Sequence, residues 1–267
     1  MKSLSDRLLQ SAACSRRFLE ETSRDKIADF IRCRQNSDGG FRGRGVESDL
    51  YYTVFAVAAL KAVGHSIPFR AVWKYARSFG VGADLDLVHL VCLIRLRISF
   101  PLLGFTRRRL LKGLQKHNAD TAYALFLKLF AEEFQHAVPR TEASPEMSLS
   151  DPTTNLAAAL LVGGQDNNVL IDALLGRVVE SGGFAPTAQI SEPDLLSTAT
   201  ALFALVSLGV NLDELQKPCC EYVDSLWRDS GGFAGHIADA FEDVEYTFYA
   251  LLAIGCLIQS MAKEYGR

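Results

Sequence analysis

The feature that constrains the fold most is a Gly-Gly-Phe motif that occurs three times, at 39–41, 182–184 and 231–233. An aspartate follows the phenylalanine of the three copies by eight, ten and ten residues, and a threonine follows each aspartate by four. These pairs are Asp49 and Thr53, Asp194 and Thr198, and Asp243 and Thr247. The second and third motifs start 49 residues apart and the first and second 143 apart, close to three times that period. A period of this size predicts a repeat architecture.

Two kinds of helical segment alternate along the whole chain, including the less regular stretches between the motifs. Six segments, which start near residues 49, 84, 120, 151, 194 and 243, are apolar on almost all sides, and amphipathic segments lie between most of them. A helix that is apolar all round is buried, whereas a one-sided helix lies at the surface. The pattern therefore predicts an all-α fold, an α/α toroid with six inner and about five to six outer helices. The segment 137–150, "AVPRTEASPEMSLS", stands where an outer helix is expected and predicts a loop or a single short turn.

The residue types of the motif suggest local roles in such a fold. A double glycine permits a positive φ in the sharp return from an outer helix, and we expect such residues among Gly40, Gly183 and Gly232. The phenylalanine can then pack between neighbouring hairpins. The aspartate stands at the start of each inner helix, where its carboxylate can cap free N–H groups.

Composition narrows the class of protein. The net charge of −3 gives no general attraction to nucleic acid or to an anionic membrane, so neither is expected as a partner. The six cysteines include no CxxC pair, which supports neither a disulfide framework nor a zinc ribbon. No apolar run is long enough for a transmembrane segment, and the N-terminus lacks a signal-peptide core. We expect a cytoplasmic protein with a helical extension over 1–24 and the toroid over 25–267.

"QNSDGGF", followed by aspartate, threonine and an apolar helix, resembles the prenyltransferase and squalene cyclase repeat. That superfamily comprises the β subunits of protein prenyltransferases and the class II terpene cyclases, both built on α/α toroids. The resemblance implies the fold, an isoprenoid or other apolar small molecule as ligand, and a helical protein partner analogous to a prenyltransferase α subunit. If the chain is an enzyme, it implies a transferase of prenyl groups or a class II terpene cyclase.

The family's zinc site is incomplete in this sequence. Protein prenyltransferases hold zinc with Asp-x-Cys at the head of one inner helix and His-Thr at a later one. Asp194 matches the aspartate, but Leu196 stands in place of the cysteine and Tyr246 in place of the histidine. A catalytic zinc normally takes three protein ligands, so we expect no zinc. The preceding stretch "APTAQISEP" also lacks the basic residues with which the family grips a diphosphate.

The acid cluster of the cyclases is incomplete as well. These enzymes protonate an alkene or epoxide with Asp-x-Asp-Asp, and the nearest match here, "ADLDLV", ends in Leu87 after Asp84 and Asp86. A catalytic acid there would have to be kept protonated by burial or by a neighbouring carboxylate. The alternative is that this pair supplies a helix cap and a solvated neighbour.

The inner helices are expected to run in parallel, with their N-termini on one rim and an apolar cavity below. Their positive ends would favour a diphosphate at that rim. Helical spacing selects cavity-lining candidates on three helices. These are Tyr52, Phe55, Leu196, Thr200, Phe203, Tyr246 and Tyr249. The alternative is that the aromatic side chains fill the ring completely.

Carboxylates are the candidates for chemistry at the rim. Asp194, Asp243 and Glu245 could hold magnesium or act as an acid–base pair. The alternative is ordinary capping and solvation. Three hypotheses follow: a prenyltransferase-like toroid that binds lipid without zinc, a zinc-independent cyclase or prenyltransferase, and a non-catalytic helical scaffold with a filled ring.

Overall fold

The structure is a computed structural model that describes residues 3–98, 104–132, 147–163 and 167–264. Twelve α-helices, one 3-10 turn and two short strands form in these ranges. The α-helices are α1 (Leu4–Cys14), α2 (Glu21–Arg32), α3 (Leu50–Val63), α4 (Phe69–Ser78), α5 (Leu87–Ile98), α6 (Gly104–Leu114), α7 (Ala122–Glu132), α8 (Thr153–Val162), α9 (Asn167–Leu175), α10 (Leu195–Ser207), α11 (Asp213–Ser225) and α12 (Val244–Glu264). The strands are β1 (Phe233–Ala234) and β2 (Glu242–Asp243), and the 3-10 turn is Ser15–Arg17. Most of the predicted connector 137–150 lies outside the described residues.

Six helices form a closed inner ring. The order of contacts is α3, α5, α7, α8, α10, α12 and back to α3. Outside this ring, α2 packs on α3, α4 and α6 pack on α5, α9 packs on α8, and α11 packs on α12. The all-α toroid predicted from the alternation of apolar and amphipathic segments is thus confirmed. No helix in the described ranges is long and apolar enough to cross a membrane.

The four-residue spacing from aspartate to threonine holds each motif against its inner helix. In the second motif the hydroxyl of Thr198 donates to the carbonyl of Asp194, 2.7 Å away, and accepts from the backbone N–H of Phe184 at 2.9 Å. Thr53 and Thr247 make the same two bonds in the other motifs. All three threonines are fully buried, so one hydroxyl satisfies the N–H of each plugging phenylalanine.

The aspartates cap the inner helices as predicted. Asp49 accepts from the N–H of Tyr51 at 2.6 Å, Asp194 from that of Ser197 at 2.7 Å, and Asp243 from that of Tyr246 at 2.9 Å. Each aspartate also pairs with the phenylalanine of its own motif in a short antiparallel bridge.

Replacing a bridging threonine should therefore destabilise the fold. Thr198→Val keeps the side-chain shape but leaves the buried N–H of Phe184 without its acceptor, which is expected to cost about 1–3 kcal/mol in the free energy of unfolding. Urea unfolding followed by circular dichroism measures this loss. Thr198→Ser retains the hydroxyl and is the control. Equal stability of the valine variant and the wild type would contradict the bridging role.

The positive φ of the double glycines falls mainly on the first residue of each pair. Gly39, Gly182 and Gly231 have φ of +97°, +91° and +95°. Of the three second glycines named as candidates, Gly183 has a positive φ (+81°), whereas Gly40 and Gly232 are not among the positive-φ glycines. Gly183 therefore meets the expectation that positive φ occurs among these three residues, and Gly40 and Gly232 do not contribute to it.

Both positions of each pair require glycine, whatever their φ, because each motif docks closely on an outer helix. A Cβ on Gly39 would lie 2.2 Å from the carbonyl oxygen of Ala71, and a Cβ on Gly40 would meet the ring of Tyr75 one turn later. The pairs Gly182–Gly183 and Gly231–Gly232 meet Pro218 with Tyr222, and Lys26 with Phe30, in the same way. The third contact joins the end of α11 to α2, which closes the outer layer.

The N-terminal helix α1 packs against the inner ring, in contact with α3, α10 and α12. A Cβ on Gly255 would lie 1.8 Å from the carbonyl oxygen of Ser11, and the Ser11 hydroxyl donates to Gln259 at 2.8 Å. Both partners belong to the C-terminal half of α12. The segment predicted as an N-terminal extension therefore lies at the end of the ring opposite the aspartate caps.

Candidate functional site: the central cavity

The inner ring encloses a cavity of about 310 Å³. Its wall is mostly apolar and aromatic. The lining residues are Leu8, Tyr51, Phe55, Val88, Val91, Cys92, Arg95, Tyr123, Phe126, Leu127, Phe130, Thr154, Asn155, Ala157, Ala158, Leu161, Leu196, Thr200, Phe203, Phe248, Tyr249 and Leu252. All six inner helices contribute to this wall.

The lining residues follow a common spacing around the ring. The second residue of five helices borders the mouth: Tyr51, Val88, Tyr123, Thr154 and Leu196. The residue four positions later lines the middle in all six helices: Phe55, Cys92, Leu127, Ala158, Thr200 and Tyr249. Three positions further lie Arg95, Phe130, Leu161, Phe203 and Leu252. Leu8 of α1 borders the cavity at that deep end, which we call the floor.

Such a pattern requires parallel helices in the same register, because residues at i, i+4 and i+7 share one helix face. With a rise of about 1.5 Å per residue, the seven residues from mouth to floor span about 10 Å. Because the ring encloses a cavity of about 310 Å³, its aromatic side chains do not fill it completely.

Five of the seven predicted lining residues border the cavity: Phe55, Leu196, Thr200, Phe203 and Tyr249. The other two, Tyr52 and Tyr246, are not in the lining. A Cβ on Gly43 would lie 2.3 Å from the ring of Tyr52, and one on Gly235 would lie 2.4 Å from the ring of Tyr246. On α3 and α12 the residue three positions after the capping aspartate thus packs on the rim loop. Tyr51 and Leu196, two positions after Asp49 and Asp194, face the cavity.

The cavity wall also contains residues that the sequence analysis did not select. Tyr51, Tyr123, Arg95 and Phe248 all border the cavity. An offset of two from Asp49 would have found Tyr51, whereas Tyr123 and Arg95 follow this pattern only when it is counted from the helix starts that the structure gives. On α3 and α12 the candidates nearest the helix starts, Tyr52 and Tyr246, lie one residue after the mouth position, whereas Phe55 and Tyr249 line the cavity as predicted.

Glu245 occupies the mouth position on α12, where it meets a neighbouring helix. The hydroxyl of Tyr51 donates to its Oε1 at 2.5 Å. Burial raises the pKa of Glu245 to about 7, and the charge of Asp243 adds to this, although the Tyr51 hydrogen bond and Arg44 act in the opposite direction. Near neutral pH this carboxyl group is therefore present in both protonation states.

The other two rim candidates are committed to capping. Asp194 accepts from the N–H and the hydroxyl of Ser197, at 2.7 and 2.8 Å. Asp243 is only 2% exposed, caps α12 and pairs with Arg44 Nε at 3.2 Å. Burial raises the pKa of Asp243 against the opposing effects of the Tyr246 N–H and Arg44. Neither aspartate lines the cavity.

These caps change the expected electrostatics of the rim. The starts of α3, α10 and α12 each carry a bound carboxylate, so they do not form the open positive funnel expected for a diphosphate. Within the described ranges, no group of three or more His, Cys, Asp or Glu side chains is placed to hold a metal ion.

A histidine that the sequence analysis passed over lies between two carboxylates at the rim. His89 is 3.2 Å from Asp49 through Nε2 and 2.9 Å from Asp86 through Nδ1. Asp86 also accepts from the N–H of His89, which makes it a cap of α5 rather than a cyclase-like acid. Burial lowers the pKa of His89, but the Asp86 hydrogen bond and the charge of Asp49 outweigh it, so the net pKa is raised.

The His89 contacts predict a pH dependence of stability. Because its folded pKa is raised, its stabilising effect is complete below the unfolded value of about 6.5 and is lost as the pH rises through the folded value. His89→Gln should remove this part of the loss in unfolding free energy between pH 6 and pH 8. Urea unfolding at the two pH values measures it. The same decline in both proteins would contradict the prediction.

The family model of the prenyltransferase alpha-alpha toroid domain matches residues 5–88 and 154–264. No curated protein was found to match the chain.

Proposed function

On the premise that the chain belongs to the prenyltransferase alpha-alpha toroid family, we propose that it binds an isoprenoid or a similar lipid in its central cavity. The observation that carries the proposal is the cavity of about 310 Å³, with an apolar and aromatic wall drawn from all six inner helices. Its volume lies at the lower end of the roughly 300–1,000 Å³ typical of ligand pockets. A prenyl chain would gain roughly 25 cal/mol for each Å² of apolar surface that it buries there.

Loss of the family's zinc chemistry is part of the proposal. Leu196, in place of the cysteine, borders the mouth and offers no ligand atom. Tyr246, in place of the histidine, lies against Gly235 and under the guanidinium of Arg44. We expect elemental analysis of the purified protein to show no stoichiometric zinc, since one aspartate does not make a zinc site. One tightly held zinc per chain would contradict this prediction.

Ligand binding can be tested with a tryptophan placed in the wall. Phe203→Trp puts a fluorophore near the floor, and farnesol and farnesyl diphosphate are titrated with and without Mg²⁺. The rim carboxylates that cap the inner helices would repel a diphosphate bound at the rim. We therefore expect either binding of the diphosphate that depends on Mg²⁺ or a preference for the uncharged alcohol. Native mass spectrometry after expression in an isoprenoid-rich host identifies a co-purified lipid.

A substitution that fills the cavity tests where the ligand binds, and the same substitution at the surface is its matched control. Ala158→Phe adds a ring to the middle of the wall and is expected to abolish binding, whereas Val169→Phe adds the same ring at a position that is 46% exposed on α9 and should leave binding unchanged. If none of the four ligand mixtures binds to a folded protein, the lipid proposal fails. The scaffold hypothesis then remains.

A second candidate function is zinc-independent catalysis on an isoprenoid. The observation that favours it is Glu245, which has a pKa of about 7 and is bonded to Tyr51 at the cavity mouth. A group that titrates near the working pH suits acid–base chemistry. Product analysis after incubation with farnesyl diphosphate tests it, with Glu245→Gln as the inactive variant. Turnover that survives this substitution would remove Glu245 from the proposed role.

A protein partner on the rim is also proposed. The loops that lead into α3, α8, α10 and α12 carry exposed apolar side chains. These are Val46, Leu149, Ile190, Ile237 and Phe241, between 47% and 78% exposed. Exposed apolar groups gathered at one end of a fold are typical of an interaction surface. They support a helical partner analogous to a prenyltransferase α subunit.

A further inference from the structure

Charge is distributed unevenly along the chain. Residues 61–117 contain eleven Lys or Arg and two Asp or Glu, a net charge of +9, whereas the whole protein carries −3. The rest of the chain therefore carries −12. The outer helices α4 and α6 lie in the basic segment, and together they contain seven of its cations and no acidic residue. The small net charge of the protein is thus an average over two regions of opposite sign.

The cations of α4 form one exposed stripe. Arg70, Lys74 and Arg77 are spaced by four and three residues, which places them on one face of the helix. All three are exposed. Val72 and Ala76, on the opposite face, are buried in the core. The basic face of α4 therefore points away from the ring.

A second stripe lies on the next outer helix. Arg108 and Lys112 on α6, and Lys116 in the turn after it, are spaced by four residues and exposed. Leu110 and Leu114, on the opposite face, are buried. Both α4 and α6 pack on α5, so the two stripes lie on the same side of the ring. Each stripe extends about 10–12 Å along its helix. We call these six cations the basic face.

The basic face has no counter-charge within the part of the chain that the structure describes. None of its six cations forms a salt bridge with a described carboxylate. At the rim, by contrast, Arg44 pairs with Asp239 at 3.0 Å and with Asp243 at 3.2 Å. Exposed charges more than about 8 Å apart are largely screened at physiological ionic strength. The local charge, and not the net charge, therefore decides which partner approaches this face.

We infer that the basic face binds the surface of an anionic membrane, with α4 and α6 against the lipid head groups. Clusters of four to eight Lys or Arg on amphipathic helices are typical of such binding, and each cation strengthens it about fivefold. The apolar sides of both helices pack on the ring, so the attachment is electrostatic and reversible. This inference revises the expectation from the net charge, which gave no attraction to an anionic membrane.

Two considerations favour a membrane over other polyanions. The basic face belongs to the outer layer of a closed ring and is convex, whereas proteins that bind single-stranded nucleic acids use a positively charged groove with aromatic stacking. A membrane also contains apolar molecules of the kind that the central cavity would take. To that extent the choice of partner rests on the proposed lipid binding.

The test is co-sedimentation of the protein with vesicles. One set is phosphatidylcholine alone, and the other contains about one third phosphatidylserine. We expect binding to the anionic vesicles to be about 100-fold tighter at low salt, and to weaken at least tenfold when the NaCl concentration is raised from about 50 to about 300 mM. Equal binding to the two kinds of vesicle would overturn the inference.

Charge-neutralising variants locate the contact. Replacing Arg70, Lys74 and Lys112 together by Gln should weaken binding to the anionic vesicles about 100-fold, since each cation contributes about fivefold. The control removes three exposed cations outside the basic face and should change binding less than threefold. It combines Arg17→Gln, Lys26→Gln and Lys217→Gln. Circular dichroism verifies that both triple variants are folded, and the salt dependence of the wild type needs no variant. Equal losses in the two triple variants would overturn the inference.

Competing partners and the cavity have their own readouts. Duplex DNA and polyglutamate are titrated at the same low salt, and tighter binding to either than to the anionic vesicles would overturn the inference. Ala158→Phe, which fills the cavity, should leave vesicle binding unchanged. A protein that binds farnesol but no vesicle contradicts the membrane surface alone. A protein that binds anionic vesicles but no isoprenoid supports the membrane surface and contradicts only the cavity proposal.

Discussion

Gly182→Ala is expected to lower the free energy of unfolding by about 4 kcal/mol, although it adds only one methyl group. Gly182 has a φ of +91°, which an L residue adopts only with strain of roughly 1–3 kcal/mol. Its new Cβ would also lie 2.0 Å from the carbonyl oxygen of Pro218, so α11 would have to move. Overpacking of this kind costs about 1–3 kcal/mol more. Urea unfolding followed by far-UV circular dichroism measures the total.

Gly209→Ala separates the two contributions. Gly209 has a φ of +79°, but no atom lies within 4 Å of a Cβ built there. This variant bears the backbone strain alone and is expected to lose about 1 kcal/mol. If the two variants lose the same amount, docking of the motif on α11 does not explain why the first glycine is required.

Glu245→Gln is expected to stabilise the protein at pH 8 by about 3 kcal/mol and to have little effect at pH 4.5. The folded pKa of Glu245 is about 7, whereas the ordinary value is 4.5. The native state therefore holds the proton that the unfolded chain releases between these values. Stability falls as the pH rises through this window, at about 1.36 kcal/mol per pH unit. The amide still accepts from Tyr51 but cannot ionise, so it escapes the loss.

The measurement is the unfolding free energy of both proteins at the two pH values. Glu221→Gln is the control, because Glu221 is 68% exposed and pairs only at 3.9 Å with Lys217 in the i,i+4 arrangement. That variant should follow the wild type at both pH values within about 0.5 kcal/mol. A gain for Glu245→Gln that is the same at pH 4.5 and pH 8 would show that titration of this carboxyl group is not its cause.

Much of the fold could be predicted from local patterns. The Asp-to-Thr spacing and the apolar runs occur within single repeats, and a helix that is apolar on all sides must be buried. The caps at Asp49, Asp194 and Asp243 were predicted correctly, because a cap needs only a carboxylate and the next two or three N–H groups. The stripe on α10 was also placed on the cavity wall, since its offset of two from Asp194 is also that of Tyr51 from Asp49.

The side chains at the two ends of the cavity depended on contacts that no single repeat contains. Tyr51 bonds to Glu245 only because the first and last inner helices meet where the ring closes, 194 residues apart in the chain. His89 reaches Asp49 across 40 residues for the same kind of reason. The first glycine of each pair is required by the backbone of an outer helix in another repeat.

The amino-acid sequence by itself therefore determined the toroid, its six inner helices and the aspartate caps, because these follow from periodicity and short-range hydrogen bonds. Only the tertiary structure decided which face of each helix lines the cavity, that Glu245 is buried beside Tyr51, and that Arg95 lies at the floor. The physical reason is that burial and charge at a point inside a ring are summed over six helices, and a one-residue change in register turns a helix by about 100°.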